Sequence, residues 1–269
     1  MSGLPERPVA AFDAETVPDA ELLRLAHGQP DASDADIAAL AKQKQLEKTD
    51  GRSDFLPLAF HQVVAVSIVL RGTDGAIQIV SKAAPADEKT IIEGFFAWIA
   101  RSQPLLVSWN GKGFDLPMLA LRALRHGVDA SGYWRGPPGG KWDPKYVKRY
   151  DDGAHADIMD FLSHYNPRNA ASLEHAALLC GLPGKMGYEG SQVEGLYRDG
   201  KFDAIRDYCE LDALNTYLIW LRLQLSTGAL DAAGRTEEFL AGGAPHLQDF
   251  LQKWRASRPA EPAAEEKGA

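Results

Sequence analysis

The chain has 269 residues, of which 45% are hydrophobic and 25% are charged, so it can form one globular domain with an insertion or a tail. That length excludes a polymerase domain beside it. The net charge of −8 argues against a protein that coats duplex DNA through a broad basic surface, because such affinity comes mostly from Lys and Arg contacts to phosphates.

The sequence has no long uncharged apolar run, and residues 1–8 lack the apolar core of a signal peptide. We therefore expect a cytoplasmic protein without membrane contact. The cysteines, Cys180 and Cys209, lie in apolar helical patterns without metal-ligand spacing, which favours buried, reduced thiols.

The first part of the chain predicts a strand followed by an insertion. The apolar run 9–12 is typical of a central strand, and it ends in the acidic pair Asp13 and Glu15. Pro18 then stops regular structure. Residues 19–60 are polar with helical fragments, and we expect a helical insertion that covers a sheet edge or the mouth of a site.

The middle of the chain predicts a hairpin and then alternating helices and strands. Residues 63–70 and 76–81 are apolar or β-branched and flank a turn with Gly72 and Gly75, which favours antiparallel strands. Apolar spacing then predicts, in chain order, a helix at 87–101, a strand at 105–109, a helix at 114–125, a strand at 154–158, and helices at 172–180, 191–198, 202–225 and 236–255.

This order of elements predicts an α/β domain with three layers. We expect a mixed central sheet, whose first three strands are antiparallel, flanked by helices. One domain should span residues 1–256, and residues 257–269, rich in Pro, Ala and Glu, should form a disordered tail.

Three acidic motifs carry the candidate chemistry, and Asp13 and Glu15 form the first. Residues two apart in a strand point to the same face, so these carboxylates could seat Mg²⁺ or Mn²⁺, which prefer oxygen ligands. The spacing alone is common, and by itself it is better explained by a solvated strand end.

The second motif places Asp115 at the start of a predicted helix, with Pro117 close behind. A simple helix cap is one explanation, because Asp and an early Pro both favour helix N-termini. Gly111 and Gly113 favour a ligand site, since they let the backbone approach a bound molecule, and Asn110 follows the end of a predicted strand.

The third motif pairs Tyr208 with Asp212, four residues apart and therefore on one face of a helix. Near a bound metal, the carboxylate could hold the ion while the phenol orients a water molecule. A core tyrosine is the alternative, although Leu211, Leu214 and Leu218 are better placed to form the core stripe.

A basic and aromatic stretch at 133–150 contains five cations, five aromatic residues and one acid, Asp143. Single-stranded nucleic acid is commonly held by such residues, through base stacking and phosphate contacts, which makes Lys145, Lys148 and Arg149 candidates. A surface loop that packs its aromatic residues against the sheet is the open alternative.

Taken together and in this order, the three motifs resemble those of the DEDD superfamily of 3'-5' exonucleases. The matching residues are Asp13 and Glu15, Asn110 with Phe114 and Asp115, and Tyr208 with Asp212. Tyrosine is typical of the proofreading subclass, whereas the histidine subclass would have His where this chain has Asp207. Over residues 9–255 the chain is similar to stand-alone predicted exonucleases related to the proofreading domain of family B DNA polymerases.

The resemblance implies a ribonuclease H-like fold and two divalent metal ions, Mg²⁺ or Mn²⁺. It implies that Asp13 bridges the ions, that Glu15 and Asp212 hold the ion that activates water, and that Asp115 helps to seat the other. Tyr208 would position the water, by hydrogen bonding rather than by removing a proton.

The implied substrate is the 3' end of single-stranded nucleic acid, DNA in the first place, in a process such as DNA repair. Thr16, Val17, Asn110 and Phe114 would contact the terminal nucleotide, and Asp157 would support the site from behind. RNA or short oligonucleotides are an alternative substrate. A catalytically silent nucleic-acid-binding subunit, or a partner of a polymerase, is the alternative from a different class.

Overall fold

The computed structural model describes residues 7–136, 143, 145–187, 190–228 and 233–257. Within these ranges no helix is long and apolar enough to cross a membrane. The strands are β1 (Val9–Pro18), β2 (His61–Arg71), β3 (Ile77–Ala83), β4 (Leu105–Ser108) and β5 (His155–Asp157). The α-helices are α1 (Ala20–His27), α2 (Asp34–Lys48), α3 (Glu88–Ser102), α4 (Asp115–His126), α5 (Ser131–Arg135), α6 (Ile158–Leu162), α7 (Leu173–Leu179), α8 (Val193–Arg198), α9 (Phe202–Ser226), α10 (Ala233–Ala241) and α11 (Pro245–Ser257).

The strands form one sheet in the order β3-β2-β1-β4-β5. The pairs β1/β2 and β2/β3 are antiparallel, whereas β1/β4 and β4/β5 are parallel. This confirms the predicted mixed sheet with three antiparallel strands at its start. Because β1, β4 and β5 are parallel, their carboxyl ends lie at one edge, where open α/β sheets place their sites.

Alternating side chains of β1 pack against the helices on the two faces of the sheet. Ala10 and Phe12 pack with α3 and α4 on one face, and Val9 and Ala11 pack with α9 on the other. From Tyr208 to Leu221 every residue of α9 is buried, because the helix lies between the sheet and further helices, among them α7 and α11.

Strand β1 is longer than predicted. It continues through Asp13 and Glu15 to Pro18, because β2 pairs with it over this whole length, up to Pro18 opposite His61. Its pairing with β4 ends earlier, at Ala11 opposite Val107. The acidic pair therefore lies on a part of β1 that still pairs with β2 but no longer with β4. This leaves room for side chains from α4 and α9.

The insertion consists of α1 and α2 with a small core of its own, made of Leu23, Ile37, Ala41 and Leu56. A buried ion pair joins it to the domain: Arg122 of α4 lies 2.7 Å from Asp19, and the same arginine lies 2.6 Å from Glu88 of α3. A lysine of α2 also pairs with Glu194 of α8.

Besides β1, two further parts of the chain differ from the prediction. The helix predicted at 236–255 is two helices, α10 and α11, because Gly242, Gly243 and Pro245 interrupt it. Residues 126–150, for which the sequence indicates no regular element, contain α5 and a 3-10 helix, Lys145–Val147. Apart from Ser257, the predicted tail lies outside the described residues.

Candidate metal site at the carboxyl end of β1

Three carboxylates meet beyond the end of the β1/β4 pairing. Asp13 and Glu15 project from β1, and Asp212 projects from α9, with one ligand oxygen from each lying within 4.8 Å of the others. The cause is local geometry: residues two apart share a strand face, and α9 crosses that face of the sheet. The structure thus brings together residues that are about 200 positions apart in the sequence.

Asp115 lies beside this group, as the first residue of α4. It is 5% exposed, and the backbone N–H of Ala14 donates a hydrogen bond to its carboxylate. Burial, with a further contribution from the charge of Asp157, raises the pKa of Asp115 to about 7. The predicted cap role is not seen, because Phe114 occupies the cap position and makes no side-chain bond.

The electrostatics of the cluster favour a cation. Burial raises the pKa values of Asp13, Glu15 and Asp212 above their ordinary range, and repulsion between the carboxylates adds to the shift for Asp13 and Glu15. Asp13 Oδ2 and Asp212 Oδ1 are buried without a hydrogen-bond partner among the described residues. Buried carboxylate oxygens without donors suit a hard divalent ion, so the residues present fit the expected metals.

Tyr208 lies one turn before Asp212 on α9, and only 2% of it is exposed. Burial raises the pKa of its phenol far above the ordinary value, so the hydroxyl stays protonated. Lys185 Nζ donates a hydrogen bond to the phenol oxygen across 2.7 Å and lies 3.6 Å from Asp212 Oδ2. The phenol oxygen is therefore held in place as a hydrogen-bonding group.

Lys185 reaches the site from the loop after α7, and sequence reasoning gave it no role. Its backbone N–H donates to Glu174 Oε2 across 2.6 Å. Gly184 has φ +69°, and a Cβ there would lie 2.6 Å from the same carboxylate, so only glycine suits this turn. The visible signal was Leu182-Pro183-Gly184-Lys185, a turn composition followed by a cation.

Asp157 supports the turn that leads into α4. Its two carboxylate oxygens accept hydrogen bonds from the backbone N–H groups of Asn110 and Lys112, both at 2.9 Å. Asn110 adopts φ 65°, and Gly111 lies so close to Ser108 that a Cβ would be 2.4 Å from its hydroxyl. Asp157 thus fixes the start of the helix that carries Asp115.

The residues predicted to contact the terminal nucleotide differ in their surroundings. Thr16 Oγ1 lies 3.0 Å from His61 Nδ1, and the ring of Phe114 meets the His61 ring edge-on at 5.4 Å. Val17 is 4% exposed and packs in a core cluster with Tyr208. The side chain of Val17 is used in packing, so the contact of Val17 with the terminal nucleotide would come from its backbone and stays a prediction.

Two aromatic residues of the stretch 133–150, Tyr133 and Tyr146, follow the packing alternative, whereas Tyr150 is 77% exposed. Tyr133 and Tyr146 are 3% and 1% exposed, stack at 6.2 Å, and lie in the core beside α3 and α4. Lys148 pairs with Asp143 at 3.1 Å, and Arg149 pairs with Asp160 at 2.8 Å. Lys145 lies 5.3 Å from the centre of the Tyr146 ring.

A second acidic group lies near the site on α9, where Asp207 and Glu210 meet His246 of α11 within 4.8 Å. These groups are already paired: His246 and Ser81 both bond Glu210 at 2.7 Å, and Arg206 lies 2.8 Å from Asp207. Asp207, at the position where the histidine subclass has its histidine, therefore faces α11, and this group joins α9 to α11.

Comparison with solved structures finds many similar chains, among them a family B DNA polymerase from the hyperthermophilic archaeon Pyrobaculum calidifontis. The TM-score is 0.50 and the identity 18%, over 93% of this chain. The chain spans 28% of the length of that polymerase. The shared fold is the ribonuclease H-like fold of the polymerase's exonuclease domain. No curated protein matches the chain.

A family model described as "Predicted 3'-5' exonuclease related to the exonuclease domain of PolB" matches residues 53–254. That range contains Asp115, Lys185, Tyr208 and Asp212, and it begins after β1. The match covers well over half of the 269 residues. The chain therefore belongs to this family of predicted 3'-5' exonucleases related to the exonuclease domain of PolB.

Proposed function

We propose that the chain is a metal-dependent 3'-5' exonuclease that hydrolyses phosphodiester bonds at the 3' end of single-stranded DNA and releases 5'-mononucleotides. The observation that carries the proposal is the convergence of Asp13, Glu15 and Asp212, with one oxygen each within 4.8 Å. Two of the three have a buried oxygen without a donor among the described residues. Exonuclease domains of this family use divalent metals, and Mg²⁺ or Mn²⁺ suits such oxygens.

Each residue of the site has a proposed task. Asp13, whose carboxylate interacts with the charges of both Asp212 and Asp115, would help to hold both ions. Glu15 and Asp212 would hold one of them, and Asp115 would help to hold the other. When bound, the ions neutralise charge on the phosphate and acidify a water molecule. The carboxylates bind and orient, and their mutual repulsion in the free protein is relieved by cations.

Tyr208 and Lys185 would orient the attacking water. The phenol remains protonated, so it contributes a hydrogen bond and does not take up a proton. Lys185 fixes the phenol oxygen at 2.7 Å and places a positive charge next to Asp212. Asp157 acts indirectly, because it holds the turn from which Asp115 projects.

An assay with single-stranded DNA and RNA of matched sequence, labelled at the 5' end, tests this function. With Mg²⁺ or Mn²⁺ we expect a ladder that shortens from the 3' end, faster for DNA, and lost in Asp13→Asn. Asp203→Asn is the matched control, since Asp203 lies on α9 with its side chain 87% exposed. Faster shortening of RNA would overturn the sugar preference alone. No metal-dependent shortening, or equal shortening by Asp13→Asn, would overturn the proposal.

A further inference from the structure

Phe55 is a large apolar side chain that the insertion leaves 54% exposed just before β2. Its ring lies 4.9 Å from the ring of His61 and 5.6 Å from the ring of Phe114, centre to centre. Part of the ring is thus packed while more than half of the side chain remains open. Single exposed apolar residues are common, so the neighbours of Phe55 must decide what it does.

His61 and Phe114 link Phe55 to the parts of β1 and α4 that carry candidate metal ligands. His61 lies 3.0 Å from the hydroxyl of Thr16, the residue after Glu15. Phe114 is the residue before Asp115 and occupies the position that precedes the first turn of α4. The aromatic group of Phe55, His61 and Phe114 therefore contacts the residue next to Glu15 on β1 and includes the residue next to Asp115 at the start of α4.

The ring of Phe55 is presented on an ordered support. The next residue, Leu56, is 4% exposed in the core of the insertion, and its carbonyl lies 3.0 Å from His61 Nε2. Arg122 holds the insertion to the domain through Asp19 at 2.7 Å. A ring fixed in this way loses little conformational freedom when a ligand stacks on it.

Single strands are generally held by stacking of bases on aromatic rings, and this tolerates any base because every base has a π-face. Two of the five aromatic residues that the sequence suggested for this task, Tyr133 and Tyr146, are buried in the core and offer no ring to a base. Phe55 has the exposure and the position that those residues lack.

We infer that Phe55 is the stacking surface for the unpaired base of the nucleotide at the 3' end. This inference rests on the proposed function and deepens it, because it names the substrate class as a strand whose terminal base is free to stack. Phe55 positions the end of the strand, and it takes no part in the chemistry.

The first test compares cleavage of oligonucleotides that carry a base on their 3' residue with cleavage of oligonucleotides that lack it. We expect Phe55→Ala to lower kcat/KM about 5- to 150-fold for a normal oligonucleotide, the equivalent of one stacked base, and to change little for an oligonucleotide with an abasic 3' residue. Phe55→Leu, which keeps apolar bulk without a ring, should resemble Phe55→Ala. Leu25→Ala, an apolar truncation in the same insertion at a residue 72% exposed, should leave both substrates unchanged.

Equal losses on both substrates would show that Phe55 only supports the fold, and no loss on either would show that it does not touch the base. Both outcomes overturn the inference while metal-dependent shortening by the unaltered chain leaves the proposed function standing.

Fluorescence decides the same question without cleavage. In the Asp13→Asn background, an oligonucleotide with 2-aminopurine at its 3' end should be quenched on binding, because stacking quenches this base. The quenching should be lost when Phe55→Ala is added and kept when Leu25→Ala is added. Equal quenching with and without Phe55 would overturn the inference, whether or not the chain cleaves DNA.

Discussion

Lys185 donates a hydrogen bond to the phenol oxygen of Tyr208 across 2.7 Å, and so brings a positive charge to a group of carboxylates. That charge lowers the pKa values of Asp13, Glu15 and Asp212, against the effect of burial. One side chain thus serves two purposes. It fixes the phenol, and it offsets part of the repulsion in the free protein.

Replacing Lys185 should therefore impair both activity and stability. For Lys185→Met we expect kcat to fall about 10- to 1000-fold, since the phenol loses its fixed orientation. The melting temperature in EDTA at about pH 8 should also fall, because the carboxylates lose their counter-charge, and Mn²⁺ should restore much of that loss.

Lys201→Met is the control for this change, since Lys201 is a lysine whose side chain is 60% exposed and pairs with Asp199. A Lys185→Met variant with normal kcat would contradict the role assigned to the lysine. A loss of melting temperature that Mn²⁺ does not reverse would point to a general packing defect.

Removal of one carboxylate should not weaken the metal-free protein. For Asp13→Asn and Asp212→Asn we expect cleavage to be abolished, while the melting temperature in EDTA is unchanged or higher, because repulsion is relieved. Thermal melts followed by circular dichroism measure this directly. A large drop in melting temperature in both variants would mean that these residues are structural.

The pKa of Asp115 predicts a dependence of stability on pH. The pKa is raised from 3.8 to about 7 in the folded chain, so the folded state binds this proton more tightly than the unfolded state does. The resulting stabilisation is complete below about pH 4 and is lost as the pH rises through about 7. In Asp115→Asn the side chain cannot ionise, so the folded state no longer loses this stability as the pH rises.

In EDTA, Asp115→Asn should therefore melt above the unaltered chain at about pH 8, and the difference should shrink toward about pH 4. Asp203→Asn serves again as the exposed control and should show no such trend. A difference between Asp115→Asn and the unaltered chain that is constant over this range would contradict the shifted pKa.

Arg122 should be essential for the attachment of the insertion. Its side chain is 3% exposed and lies between Asp19 and Glu88, whose side chains are 4% and 5% exposed. In Arg122→Met, Asp19 and Glu88 would stay buried and lose the arginine that is their main partner. Such a loss typically costs about 3–5 kcal/mol of unfolding free energy. Urea unfolding measures the loss, and Arg52→Met, at an arginine 79% exposed, should have almost no effect. A similarly small change in Arg122→Met would contradict the importance of the buried pairs.

Much of the site was predictable because it depends on local periodicity. The alternation of a strand places Asp13 beside Glu15, and a helical spacing of four places Tyr208 over Asp212, whatever the rest of the chain does. The order of apolar segments likewise predicted the mixed sheet that carries them.

The remainder depends on contacts between distant segments, which local patterns do not report. Lys185 meets Tyr208 only because the loop after α7 folds back over α9. The composition of residues 133–150 suggested a surface of aromatic rings and cations for nucleic acid. Tyr133 and Tyr146 are buried instead, because they pack against side chains of α3 and α4. Phe55 likewise becomes informative only when Phe114 is seen beside it.

Titration of the chain with Mn²⁺ by calorimetry tests the central claim most directly, namely that carboxylates from β1 and α9 form one cation site. We expect binding to the unaltered chain, its loss in Asp13→Asn and Asp212→Asn, and its retention in Asp203→Asn. Absence of binding to the unaltered chain, or equal binding to the Asp13→Asn variant, would contradict the claim.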